Sequence, residues 1–157
     1  MRMKKRCKKL HITTEEMENT LQRCISFYQD KIYQKDIEDL KKEGKVKPKS
    51  SLSTLCPFLD KNGLLRVGGR LQNAEISEAT QHPIILSQQV HITKLNVQDA
   101  HIKTLHGGIQ IMKAYIRSRF WIVGMKNAIK WCIRNCKVCI IRLRDRRKEW
   151  DSFLHVE

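Results

Sequence analysis

No apolar stretch in this 157-residue chain approaches the ~20 residues that a bilayer-crossing helix needs, so no membrane partner is expected. The opening MRMKKRCKKL is basic but has no apolar segment behind it, so it is not a secretory signal. Glu15 and Glu16 come soon after, which argues against a transit peptide. Aromatic residues are few: four Phe, three Trp and three Tyr. With 41% apolar residues the chain can fill one modest core or two small ones, not that of a large enzyme. Acids are scarce as well, 16 against 31 Lys and Arg, for a net charge of +15. Such a balance favours a polyanionic partner, nucleic acid before an anionic membrane surface. Folding does not require it, so charge alone names no function.

The cysteines stand at 7, 24, 56, 132, 136 and 139. An even six would allow three disulfides in a secreted protein. With no export signal, and with three of the six crowded near the C-terminal end, reduced thiols fit better, some of them metal ligands. That places the chain in the nucleus or cytoplasm.

Residues 1–9 hold six basic residues and no acid, a solvated tail or a localisation or nucleic-acid-binding arm. Residues 13–43 read as one helix. Thr13 and Glu16 have capping-box spacing, and Met17, Leu21, Cys24, Tyr28 and Ile32 recur as an apolar stripe that buries Cys24. Gly44 stops it, and KVKPKSS is a loop. In LCPFLDKNGLLRVGGRL, Asn62-Gly63 between apolar runs predicts a hairpin, and Gly68-Gly69 a second bend rather than a phosphate cradle. A helix is expected over 87–106 with Ser87 as its cap, ended by Gly107-Gly108. Another is expected over 109–120, with Ile109, Met112, Ile116 and Phe120 on one side. After Gly124, Met125, Ala128, Ile129, Cys132 and Ile133 make a further helical stripe, and RLRDRRKEW reads as a solvated basic tail.

The residues that carry chemistry are His101, His106, Cys136 and Cys139. C-x2-C lets one knuckle of backbone present two thiolates to one metal, and two imidazoles complete a tetrahedral set that suits zinc. Five residues apart on a regular helix, the two histidines would point about 140° away from each other. They meet only if the helix ends at His106, which Gly107-Gly108 allows. A redox pair would instead open a helix after a strand. Cys132, one turn before Cys136, competes as a ligand but belongs to the apolar stripe. His91 and His82 are weaker alternatives, and His11 and His155 lie in tails.

Three stretches carry a family resemblance: PFLDKNGLLRVGGRL (57–71), HPIILS (82–87) and AHIKTLHGGIQIMKAYIRSRFWIVGMKNAIKWCIRNCKVC (100–139). Over about 15–142 the chain resembles the zinc-binding module of integrases in BEL/Pao-like retrotransposon polyproteins. The resemblance implies that His101, His106, Cys136 and Cys139 are zinc ligands, in a small helical bundle that helps an integrase multimerise and engage DNA ends. The departure from the family lies past Cys139, where only 18 residues remain, counting 140–157. Their acids (Asp145, Glu149, Asp151, Glu157) cannot build the three-carboxylate, two-metal core of strand transfer. The chain therefore looks like a non-catalytic fragment, a degenerate insertion or a truncated gene.

The expected fold is mainly α with a small β-hairpin region and a zinc-stabilised bundle in the C-terminal half. Its segments are 1–47 (basic tail and amphipathic helix), 48–90 (hairpin and linker), 91–142 (zinc-binding domain) and 143–157 (basic-to-mixed tail). Lys126, Lys130, Arg134, Lys137, Arg142, Arg144, Arg146 and Arg147 are the candidate contacts to nucleic acid, DNA of low sequence preference. Two alternatives stand beside this reading. A catalytic zinc would need an open fourth position. A pure interaction module would pair with itself or with an integrase-like chain and leave DNA alone.

Overall fold

The computed structural model describes residues 11–69 and 78–154, with side chains described for 11–69 and 80–145. The expected arm at 1–9, and His155, lie outside the described residues. The chain is mainly helical around a small sheet, as composition and periodicity predict.

Helix α1 (Thr14–Ile32) opens on the expected capping box. The Glu16 N–H donates to Thr13 Oγ1 at 3.2 Å, and the Thr13 N–H donates to the Glu16 carboxylate at 2.9 Å. These bonds hold the Glu16 carboxyl below its usual range, first through the Thr13 backbone and then through its hydroxyl. The expected single helix is two: α1 ends at Ile32, and α2 (Gln34–Glu43) begins after a kink at Tyr33. Neither Gly nor Pro marks the kink. Burial makes it, because Tyr33 and Ile37 turn into a cluster with Leu52, Leu65 and Ile85.

The buried stripe of α1 is also not the expected one. Ile25 and Gln29 are buried with Leu21 packed beside them, whereas Cys24 is exposed and Met17 is 63% exposed. Gln29 is the reason. Its Nε2 donates to the carbonyls of Leu65 (3.0 Å) and Ile85 (2.7 Å), and its Oε1 accepts from the Leu65 N–H (2.8 Å). A polar residue at the centre of the buried face hides that face from a reading based on apolar spacing.

Strands β1 (Phe58–Leu59) and β2 (Leu65–Arg66) form the expected hairpin. Its turn is fixed by Asp60, whose Oδ1 accepts from the N–H groups of Asn62 and Leu64, both at 2.9 Å, and by Gly63 at φ 76°. Gly68 is needed for a different reason: a Cβ there would sit 2.4 Å from the Cys56 carbonyl oxygen. After α3 (Glu78–Gln81), residues Ile84–Ser87 are a strand, β3. Ile84, Ile85 and Leu86 are all buried, an apolar run without alternation that suits a strand covered on both faces. Ser87 ends that strand and is not a helix cap. Helix α4 (His91–Lys103) begins after Val90.

Helix α5 (Ile109–Arg117) leads into β4 (Phe120–Val123), which pairs parallel with β3 from Ile84↔Phe120 to Ser87↔Val123. Phe120 is thus a buried strand residue rather than the end of a helix. The sheet order is β1-β2-β3-β4. Helix α6 (Met125–Arg134) buries Met125, Ile129 and Cys132, as its stripe predicts. The expected tail is helix α7 (Lys137–Leu154), exposed from Ile141 to Asp145. One apolar cluster joins Ile25 of α1 and Leu64 of the hairpin to Val97, Met112, Ile116, Ile122 and Ile129. The helices that carry the candidate site are braced by it.

Candidate metal centre

Two chain reversals build the site. The first ends α4. Thr104 caps the helix, the Leu105 N–H donates to the Ile102 carbonyl and the His106 N–H to the His101 carbonyl, both at 2.9 Å. That pair of bonds is a Schellman motif, and it folds His106 back over His101. The position that usually holds glycine is Leu105, at φ 53°, with His106 next to it at φ 62°. Gly107-Gly108 therefore does not make the reversal. Gly107 instead permits close approach, since a Cβ there would lie 3.0 Å from the Thr104 carbonyl oxygen.

The second reversal joins α6 to α7. Asn135 caps α6, and its side-chain amide donates to the Trp131 carbonyl at 2.7 Å. The Cys136 carbonyl accepts the N–H of Ile140 at 3.0 Å, so Cys136 stands at the N-terminus of α7 with Cys139 in its first turn. The positive end of the helix dipole favours thiolates there.

His101 Nε2 lies 3.0 Å from His106 Nδ1 and 3.3 Å from Cys139 Sγ. Cys136 Sγ is 3.3 Å from His106 Nδ1, and Cys139 Sγ is 3.9 Å from it. All four donor atoms fall within 4.8 Å of one another. A zinc tetrahedron with ordinary Zn–N and Zn–S bonds has edges of about 3.3 Å (N to N), 3.6 Å (N to S) and 3.8 Å (S to S). The observed spacing matches a shared central cation. Shared protons would satisfy the four atoms only in pairs.

His101 and Cys139 are buried, His106 and Cys136 half-buried. Burial, then the neighbouring His106, pushes the His101 pKa down, so the imidazole is neutral, the form that ligates. Burial, then Cys136, pushes the Cys139 thiol up, so metal uptake must displace its proton. His101 Nδ1 is buried without a hydrogen-bond partner among the described residues, so the ring is oriented by packing and by its Nε2 contacts.

Residues 90–144 match the family described as integrase zinc binding domain. Over that segment the chain resembles an integrase zinc-binding domain. No curated protein and no solved structure matches the chain. Zinc is the metal of such domains, and the His/His/Cys/Cys group of the structure is a donor set that suits it.

The four-donor cluster leaves the other candidates apart. Cys132 packs in the apolar cluster, and burial, then Cys136 and Cys139, raises its thiol pKa. His82 bonds the Val67 carbonyl and meets the edge of Phe58, while His91 and His11 are exposed. Of the basic residues, Lys126, Arg134, Lys137, Arg142 and Arg144 are exposed and Lys130 is half-buried. The side chains of Arg146 and Arg147 lie outside the described residues. Two contributors had no sequence signal: Leu105 in a glycine position, and Gln29 beneath the sheet.

Proposed function

We propose that His101, His106, Cys136 and Cys139 hold one structural zinc that pins the end of α4 to the α6–α7 junction, in a non-catalytic module that binds nucleic acid. The observation that carries this reading is the convergence of four donors from two separate reversals at tetrahedral spacing. Zinc bound there supplies a cross-link. Four protein donors leave no position for a reacting water, which supports a structural role over a catalytic one. The module occupies 91–142, and its thiolates suit a reducing compartment, nuclear or cytoplasmic. Metal analysis of the purified chain should give about one zinc, and Cys136→Ser should lose it together with helicity. A chain that folds equally well without metal would sink the claim.

Lys126, Lys130, Arg134, Lys137, Arg142 and Arg144 of α6 and α7 supply the contact to nucleic acid. Among the described residues none of these six side chains is ion-paired with a carboxylate. Their charge is therefore free to neutralise phosphates and release counterions. Changing Arg142, Arg144, Arg146 and Arg147 to Ala should flatten the log–log salt dependence of duplex binding by up to ~3.6 units, at about 0.9 per phosphate contact. A second reading, a protein-interaction module, is favoured by the exposed Ile102 and Leu105 near one reversal and Val138 and Ile141 near the other. Identical salt slopes for the two proteins would select it. Under either reading, joining assays with magnesium or manganese should stay at background.

A further inference from the structure

Trp131 is 45% exposed on α6, a helix without a single acid. The ammonium of Lys94, from α4, stands 5.5 Å over its ring centroid. Arg134 lies one turn along the same helix and Lys130 is its neighbour in sequence, while Leu95, half exposed, adjoins Lys94 on α4. The nearest acid on α4, Asp99, is already bound to Lys103 at 2.8 Å. The surface is thus an exposed indole set among cations. Phe27 makes the contrast: it is 65% exposed, but its surroundings mix Asp30 and Glu38 with Lys31 and Lys41.

We propose that Trp131 is a stacking platform for an unpaired base, with Lys94, Lys130 and Arg134 holding the flanking phosphates, so that the domain prefers single-stranded nucleic acid to duplex. This rests on the nucleic-acid reading above. A duplex keeps its base faces stacked internally and shows a helix surface only groove edges and phosphates, whereas an unpaired base presents its face. Lys94 does not bar the ring. Stacking a base outweighs an exposed cation–π contact about twofold, and the displaced ammonium gains a phosphate.

The test compares the full zinc-loaded chain on an oligothymidylate and on a duplex of equal length. Wild type should bind the single strand more tightly, with its tryptophan emission quenched by the oligothymidylate. Trp131→Ala should lose on the order of tenfold in single-strand affinity, with duplex affinity and salt slope unchanged. Phe27→Ala should change nothing. Should Trp131→Ala fold poorly, Trp131→Phe decides: it keeps most of the affinity and loses the quenching. Salt-dependent binding with no single-strand preference, or an unquenched wild type, overturns the platform and leaves the phosphate contacts standing. No binding of either oligonucleotide at low salt overturns both readings.

Discussion

Leu105 occupies a conformation that costs an ordinary L-residue roughly 1–2 kcal/mol, and it does so with its side chain 82% exposed. No packing offsets that cost locally; the reversal is held by the two Schellman bonds and by whatever draws His106 onto His101. Replacing Leu105 with Gly removes the strain but adds freedom to the unfolded chain, about 0.5–1 kcal/mol, so the two effects nearly cancel. Leu105→Gly should therefore keep its zinc and melt within a few degrees of wild type. Leu105→Val, β-branched in the same left-handed conformation, should lose about 1 kcal/mol or more and bind zinc more weakly. Thermal melts with and without chelator check both, and a Val variant as stable as the Gly variant would remove strain from the account. The candidate ligand set was legible because C-x2-C and two nearby histidines are a chemical pattern that needs no fold. The device joining the histidines was not. A Gly-Gly pair advertises a turn, but here the turn precedes it, and Gly107 serves the close contact with Thr104.

At the scale of elements, legibility tracked periodicity. Helix α6, with a clean apolar stripe from Met125 to Ile133, was readable, and so was the hairpin, with Asn62-Gly63 between apolar runs. The buried stripe of α1 is hidden because its centre is Gln29, and β3 carries no signal because HPIILS has no period at all. What Gln29 does explains why a polar residue is kept there. One register pair, Arg66↔Ile84, joins β2 to β3, and the Gln29 amide supplies three further bonds to backbone groups of Leu65 and Ile85. Gln29→Leu fills the same space but leaves one buried N–H and two carbonyls without those bonds. At ~1 kcal/mol or more for each, the loss should be at least about 3 kcal/mol. Denaturant unfolding of the full chain measures it, and a loss under about 1 kcal/mol would mean that water replaces the amide.

Across the whole molecule, the metal and the core are coupled. The cluster that holds Val97, Met112 and Ile129 beside the site also holds Ile25 and Leu64, so releasing the α4 and α6–α7 ends loosens α1 as well. Zinc binding to small domains is worth about 10–16 kcal/mol, as large as the stability of an ordinary domain, so chelation should melt all the helices in one transition. Acid should act as a chelator does, and the ligands set the sign. Zinc takes thiolates and neutral imidazoles, so in the bound state all four groups resist protonation far below their free values. In the unfolded chain the thiols hold protons below a pKa of about 8.5 and the imidazoles below about 6.5. The stability that zinc supplies is therefore greatest above ~8.5 and is lost as pH falls. Between about 6.5 and 8.5, uptake displaces two protons, and the apparent affinity should drop ~100-fold per pH unit. Below ~6.5 the histidines add two more protons, and the drop steepens toward roughly 10⁴-fold per unit. Competition for zinc against a chelator of known pH dependence gives the slope directly. A slope near two protons at neutral pH is expected, a slope near one would remove a cysteine from the shell, and a flat profile would mean that neither thiol ligates.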